Sequence, residues 1–242
     1  MTDHDKTIVR LSADASARWP DLAFALLLVP ATSYDDEVAA AAQAAELVAG
    51  LHATHDADAL RGGPEDAAYR EFYRSMGLKA AQVSTPVKQS IRVLDRGVYH
   101  PVSPVVDRCM AIEYRTLVSF QIYSAAWFTG AVATYRPARG DEPIDPGRGE
   151  IKTCKPGELI LDVDGTAAHS CYYGNHRGAL LGEDDGWALV RLMRPPGLAL
   201  ARFEQAVEEA RAVLSPIAEG RLTATDEECR LSATVSAAVD RG

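Results

Sequence analysis

Asp162 and Asp164 lie close together in "LILDVDGTA", directly after an apolar run. Two carboxylates at the end of a strand can hold a magnesium ion, with one acting as nucleophile and the other as acid/base in phosphoryl transfer. A phosphatase of that kind also needs a Ser/Thr, a Lys and a later acidic pair on successive parallel strands, and too few residues follow Thr166 to supply them. Asp-Gly between two alternating apolar stretches is instead typical of a turn. The sequence therefore predicts a β-hairpin here and no metal site.

A second group of chemically active side chains follows this hairpin, in "HSCYYGNHR". Histidine exchanges protons near neutral pH, and an aromatic wall binds flat side chains and stabilises cations. His169 and His176 are therefore candidate acid/base residues, and Tyr172 and Tyr173 are candidate walls of a pocket. Arg177 is a candidate for binding a carboxylate or phosphate through its two-pronged guanidinium, with a surface ion pair as the alternative.

Glu113 is a third candidate for acid/base chemistry. It lies on the helix predicted after Pro104, three residues after Met110, so these two side chains share one helix face. A carboxylate in an apolar pocket has a raised pKa and exchanges protons near neutrality. The alternative is a solvated charge paired with Arg108 or Arg115.

The elements that must position these residues change in type along the chain. Turn signals and periodic apolar residues predict helices over 34–51, 64–76, 86–94, 105–117 and 198–214, with a weaker one over 225–238. Beyond Phe120, short β-rich segments are separated by Gly, Pro and Asp. Helices first and strands afterwards favour an α+β fold, with helices packed on mixed or antiparallel sheets. We expect one domain over residues 1–214 and a peripheral C-terminal helix or tail over 215–242.

Composition and charge narrow the class of protein. The 242 residues are 47% hydrophobic, which is enough for a sizeable core. No apolar run reaches the roughly 18 residues that suggest a membrane span, and no signal-peptide pattern predicts secretion. The four cysteines are scattered and are expected to be free thiols, so the sequence predicts a cytoplasmic protein without a membrane partner. The net charge of −9 disfavours DNA binding and an extensive grip on RNA, although it is compatible with contact limited to the acceptor end of a tRNA.

Three blocks of the sequence resemble the editing domain of the phenylalanyl-tRNA synthetase β subunit, the B-three/B-four domain. They resemble even more closely the free-standing proteins made of that domain alone. The blocks are "YREFYRSMGLKAAQVSTPVKQSIRVL", "VSPVVDRCMAIEY" and "KPGELILDVDGTAAHSCYYGNHRG", and they cover roughly residues 65–200 in the family's order and spacing. The resemblance implies an α/β fold whose central pocket accepts an amino-acid side chain, which in the synthetase is a tyrosine wrongly attached to tRNA.

The sequence departs from the family at the residues that line this pocket. The synthetase's Thr-Asn pair is replaced by Cys109-Met110, and the position of a pocket histidine is occupied by Gln121. The Trp-rich segment of the free-standing members becomes the segment that contains Tyr172 and Tyr173. The resemblance therefore implies a pocket with a different lining, in which Cys109, Met110 and Gln121 contact the substrate.

These observations leave three hypotheses for function. The first is an enzyme acting on an aromatic amino acid or a derived amine, for example by a Pictet–Spengler-type condensation with a carbonyl compound in natural-product biosynthesis. Such a condensation is acid/base chemistry and needs no metal or other cofactor. The second is a trans-editing hydrolase of misacylated aminoacyl-tRNA, and the third is a non-catalytic module that binds an amino acid or tRNA. The acidic balance and the altered pocket lining favour the first.

Overall fold

The computed structural model describes residues 7–34, 36–147, 149–226 and 228–233, and it has the predicted α+β fold. The helices are α1 (Ala13–Arg18), α2 (Glu37–Thr54), α3 (Ala57–Leu60), α4 (Pro64–Ser75), α5 (Pro86–Arg96), α6 (Pro104–Thr116) and α7 (Leu200–Leu214). The strands are β1 (Ile8–Leu11), β2 (Ala23–Pro30), β3 (Ser119–Ser124), β4 (Val132–Pro137), β5 (Pro143–Ile144), β6 (Lys152–Thr153), β7 (Leu159–Val163), β8 (Thr166–Ser170), β9 (Gly174–Asn175), β10 (Trp187–Arg194), β11 (Ala218–Thr223), β12 (Cys229–Arg230) and β13 (Ser232–Ala233).

Local signals set the ends of the helices that matter for the site. Pro86 and Pro104 occupy the first turns of α5 and α6, where a missing N–H is tolerated. The Thr85 hydroxyl accepts a hydrogen bond from Lys88 N (3.1 Å), and Gly97 ends α5 in the left-handed conformation with φ of 64°. The predicted start of α2 is three residues too early, because the Asp36 side chain provides the helix cap.

Two large sheets enclose the main hydrophobic core. One has the strand order β13-β11-β2-β10-β3, and the other has the order β12-β1-β4-β7-β8-β9, in which β1 and β4 are parallel. Phe24 of β2 and Tyr135 of β4 stack between the sheets with ring centroids 4.0 Å apart. A second core lies on the other face of the five-stranded sheet, against α6 and α7.

Strand β10 lies between β2 and β3, and its side chains alternate between the two cores. Leu189 and Met193 belong to the main core, whereas Val190 and Leu192 belong to the second. By this alternation, Arg191 points to the same side as Leu189 and Met193.

The hairpin predicted around Asp-Gly is confirmed. Strands β7 and β8 pair in antiparallel orientation, and Asp164 and Gly165 connect them with φ of 48° and 89°. Positive φ at both central residues is the requirement of a type I′ turn. Asp162 forms an ion pair with Arg136 (2.6 Å), and Asp164 Oδ1 accepts a hydrogen bond from Val132 N (3.3 Å). The two carboxylates therefore hold β4 against the hairpin.

The prediction of a peripheral helix or tail over 215–242 is wrong for the part that the structure describes. Residues 218–223 form β11, which pairs along its whole length with β2, and residues 229–230 pair with β1. Leu222 is fully buried in the main core, and β11 supplies the hydrogen-bond partners that β2 would otherwise lack. Residue 227 and residues 234–242 of the predicted helix and tail lie outside the described residues.

None of the helices within the described ranges combines the length and apolar character that crossing a membrane requires.

Candidate functional site

A cavity of about 170 Å³ is lined by residues of helices α4, α5 and α6 and of strands β3, β8 and β10. An engineered apolar cavity of about 150 Å³ in another protein takes up benzene. The space is thus sufficient for one aromatic ring. The lining includes side chains that can exchange protons, hydrogen-bond a ligand or contact an aromatic ring: Glu113, Gln121, His169, Tyr172, Tyr173 and Arg191.

Two neighbouring strands form one wall of the cavity. Arg191 of β10 lies directly opposite Gln121 of β3, and Met193 lies opposite Ser119. Residues two apart on a strand point to the same side, so all four side chains reach the lining.

Glu113 reaches the cavity from the last turn of α6. Leu117 adopts the left-handed conformation with φ of 58°, which ends the helix and turns the chain into β3. This turn brings Phe120 N to 2.6 Å from Glu113 Oε2, to which it donates a hydrogen bond. Glu113 is 2% exposed, and its burial raises the pKa to about 8 even though the Phe120 bond and the charge of Arg191 oppose the shift. Glu113 is consequently protonated at neutral pH and can act as an acid.

His169 is held as a neutral hydrogen-bond acceptor. Its Nδ1 lies 2.7 Å from Asn175 Oδ1, while Asn175 Nδ2 donates to the carbonyl oxygen of Ile122 (3.1 Å). Because the Asn175 amide donates through Nδ2, its Oδ1 is the acceptor, so His169 Nδ1 carries the proton and Nε2 carries the lone pair. Burial, followed by the charge of Arg191, lowers the pKa of His169 to about 3, against the effect of Asn175. The imidazole therefore accepts hydrogen bonds at neutral pH without becoming charged.

A tight turn after β8 presents the aromatic wall. The carboxylate of Glu158, which is fully buried, accepts hydrogen bonds from Ser170 Oγ (2.7 Å) and Tyr172 N (2.8 Å). Ser170 Oγ in turn accepts a bond from Tyr173 N (2.9 Å). The rings of Tyr172 and Tyr173 meet edge to face with centroids 4.8 Å apart. Glu158 therefore positions the wall although it is not itself part of the lining.

Arg191 is a charged lining residue that the sequence analysis missed. The signal was present, because "WALVRLMR" places a charged residue at a position that strand alternation assigns to a buried face. The side chain is 1% exposed. Its Nη1 donates to Met193 Sδ (3.3 Å), and in the part of the chain that the structure describes no acceptor reaches its buried Nε.

The structure brings together five of the predicted site residues: Glu113, Gln121, His169, Tyr172 and Tyr173. The other four do not line this cavity. Cys109 is buried in the second core, and Met110 packs against both cores. His176 stacks on Trp127 and accepts a bond from Gly178 N, and Arg177 is exposed beside Asp145 (3.5 Å). The chain reverses after Tyr173, and β9 runs antiparallel to β8. This reversal places His176 and Arg177 away from the cavity.

Cys171 lines the cavity but is not a nucleophile at neutral pH. Burial raises the pKa of its thiol to about 12, and the thiolate is the reactive form. The chemistry that the lining can perform is therefore proton donation by Glu113 and hydrogen-bond acceptance by His169.

No protein-family model matches this chain, and no curated protein matches its sequence significantly. The resemblance to the editing-domain family depends on the three sequence blocks alone.

Proposed function

We propose that this chain is a small-molecule enzyme that condenses an aromatic amino acid or a derived amine with a carbonyl compound, in a Pictet–Spengler-type ring closure. One observation carries the proposal: the acid Glu113 and the neutral acceptor His169 face the same ring-sized cavity, beside a tyrosine wall. The resemblance of residues 65–200 to domains with an amino-acid pocket supports the choice of ligand. Four free thiols suit a reducing compartment, so we place the enzyme in the cytoplasm.

The reaction begins with attack of the amine nitrogen on the carbonyl carbon to give a carbinolamine. Glu113 then donates its proton to the departing hydroxyl, which leaves as water, and an iminium cation forms. The resulting Glu113 carboxylate is a counter-charge to this cation, and the edges and faces of Tyr172 and Tyr173 add an aromatic environment.

Ring closure completes the cycle. The aromatic carbon of the substrate attacks the iminium carbon, and the Glu113 carboxylate takes the proton that this carbon loses. One amine and one carbonyl compound give one cyclic amine and one water, and Glu113 returns to its protonated state. His169 orients the substrate by accepting a hydrogen bond from the amine at Nε2.

Trans-editing is the second candidate, because the resemblance implies it and the cavity size suits the side chain of a misacylated tyrosine. In that case a positioned water hydrolyses the aminoacyl ester. Incubation with tyrosyl-tRNA(Phe) tests this function directly, since deacylation above the rate in buffer is required. Binding of an amino acid without turnover in either assay would identify the third class, a non-catalytic module.

The principal test is incubation with an aromatic amine and an aldehyde, with L-tryptophan or tryptamine and acetaldehyde as probes. Mass spectrometry detects the cyclic product, whose mass is that of both reactants less one water. We expect the enzyme to form product faster than the enzyme-free control. Glu113→Gln lowers the enzyme-catalysed rate by about 100-fold or more because it removes the proton donor.

The matched control is Glu71→Gln on α4, whose side chain is 72% exposed and pairs with Arg74. It removes a carboxylate of the same length outside the cavity and retains full activity. Equal rates for Glu113→Gln and Glu71→Gln would contradict the assigned role of Glu113. A panel of aromatic amino acids and their derived amines that neither stabilises the protein against heat nor reacts would overturn the proposed function itself.

A further inference from the structure

Arg191 is a buried cation that has no counter-ion among the residues that the structure describes. It is among the largest fully buried side chains, and within the described residues no carboxylate forms an ion pair with it. A guanidinium stays protonated under all ordinary conditions. A buried charge without a partner is strongly unfavourable, so its presence in a lining requires an explanation.

The hydrogen bonds of Arg191 do not provide that explanation. A guanidinium has five N–H groups, and in the described part of the chain only Nη1 has an acceptor, the thioether sulfur of Met193 at 3.3 Å. Thioether sulfur is a weak acceptor. The Phe24 ring lies 5.9 Å from Cζ, and the buried Nε has no acceptor among the described residues. Most of the donor capacity of this side chain is thus unused.

Glu113 does not neutralise Arg191 at neutral pH. The two groups line the same cavity, yet Glu113 accepts its hydrogen bond from Phe120 N instead of from the guanidinium. With its pKa raised to about 8 by burial, the Glu113 carboxyl is mostly protonated at pH 7. His169 is neutral as well, so the lining carries a net positive charge contributed by Arg191.

We infer that Arg191 binds the free carboxylate of the substrate, so that the enzyme acts on an α-amino acid and not on a decarboxylated amine or an ester. The planar fork of arginine pairs with a carboxylate through two parallel N–H···O bonds, which matches the unused donors. This inference rests on the proposed function and deepens it, because it names the substrate class for the same cavity. An amino acid bound in this way brings its own counter-charge and leaves its amine free to react.

The inference also separates the two candidate functions. In an aminoacyl-tRNA the carboxylate has become a neutral ester, which cannot form an ion pair with a guanidinium. An editing pocket would therefore place Arg191 opposite an uncharged group, and its buried charge would stay uncompensated.

Matched ligands of the full chain test the inference. The probes are L-tryptophan, tryptamine and 3-indolepropionate, which share the indole and differ in the carboxylate or the amine, and isothermal titration measures their affinities. We expect L-tryptophan and 3-indolepropionate to bind at least about 10-fold more tightly than tryptamine, because tryptamine has no carboxylate to accept the charge-assisted hydrogen bonds of the guanidinium. The same comparison with L-phenylalanine, phenethylamine and 3-phenylpropionate covers the smaller ring.

Variants assign this preference to one side chain. We expect Arg191→Gln to abolish the tighter binding of carboxylate ligands and Arg191→Lys to retain part of it. The control Arg194→Lys retains all of it, because Arg194 lies on the same strand but outside the lining. The wild-type comparison decides the question even where a variant fails to fold. Equal binding of tryptamine and L-tryptophan, together with formation of the cyclic product, would overturn the inference and leave the proposed function standing. Failure of every probe to bind or react would overturn both.

Discussion

Replacing Arg191 by methionine is expected to stabilise the unliganded protein. Arginine at this position is 1% exposed and has no carboxylate partner in the described chain. Methionine has a similar length, no charge and a neighbour of the same kind in Met193. The substitution therefore removes an unpaired buried charge from the cavity while largely keeping the space filled.

The magnitude follows from what the substitution removes. Exchange of buried ionic groups for apolar groups of similar volume is commonly neutral or stabilising by about 1–4 kcal/mol. The losses are the contact with Phe24 at 5.9 Å and the bond to the thioether of Met193, together about 1 kcal/mol. We expect a net gain of about 1–3 kcal/mol in the free energy of unfolding. For a chain of this size each kcal/mol raises the melting temperature by about 2–4 °C.

Urea and thermal unfolding of the unliganded protein at pH 7 measure this gain. The control is Arg194→Met on the same strand, which loses bonds to the carbonyl oxygens of Leu198 (2.9 Å) and Asp21 (3.0 Å) and gains no stability. A fall of more than about 1 kcal/mol for Arg191→Met would refute the reasoning, because it would show that Arg191 is compensated in the folded protein. A double-mutant cycle with Glu113→Gln would then measure whether Glu113 is the hidden partner.

Three further predictions concern the residues around the cavity. Raising the pH from 6.5 to 8 should lower the free energy of unfolding of the wild type by about 2 kcal/mol more than that of Glu113→Gln. The reason is that Glu113 in the folded protein (pKa about 8) holds a proton that the unfolded chain releases above about pH 4.5. Replacing Glu158 by alanine should reduce the free energy of unfolding by about 3 kcal/mol, and thermal unfolding measures this. The buried Ser170 hydroxyl loses its acceptor, Lys155 N loses its bond to the carboxylate, and Tyr172 N keeps only its bond to Ser170 Oγ (3.1 Å). Substituting Asn175 by alanine should remove the acceptor that fixes the proton on His169 Nδ1, and the ¹⁵N chemical shifts of the ring then report a mixture of tautomers.

Each of these predictions has an outcome that contradicts it. His169 makes the free energy of unfolding rise with pH only between its folded pKa of about 3 and its unfolded value of 6.5, so it does not mask the effect of Glu113 above pH 6.5. Parallel pH profiles for wild type and Glu113→Gln above pH 6.5 would show that Glu113 is not protonated in the folded state. Unchanged stability of Glu158→Ala, or unchanged ring shifts in Asn175→Ala, would show that these hydrogen bonds do not position the wall and the imidazole.

Features set by neighbouring residues were predictable from the sequence. Prolines at positions 86 and 104 start helices because their fixed φ suits a first turn, and Gly97 ends one because it tolerates the left-handed conformation. The hairpin at Asp164-Gly165 follows from the same kind of local preference. Strand β11 was missed because its sequence, "AEGRLT", has weak alternation, and its pairing partner β2 is distant along the chain.

Candidate residue types were also visible in the sequence, but their shared location was only partly so. Glu113, His169 and the two tyrosines could be named from their chemistry and the family resemblance. Cys109 and His176 were equally plausible site residues. Only packing placed Cys109 in the second core and His176 in a stack on Trp127.

The sequence by itself determined the kinds of elements, most of their ends and the presence of acid/base and aromatic side chains, because these depend on residues a few positions apart. The tertiary structure alone decided which of those side chains meet and that Arg191 lies among them with no counter-ion in the described ranges. The pKa of a group and the pairing of a charge depend on burial and on distances between residues far apart in the chain, and folding sets both.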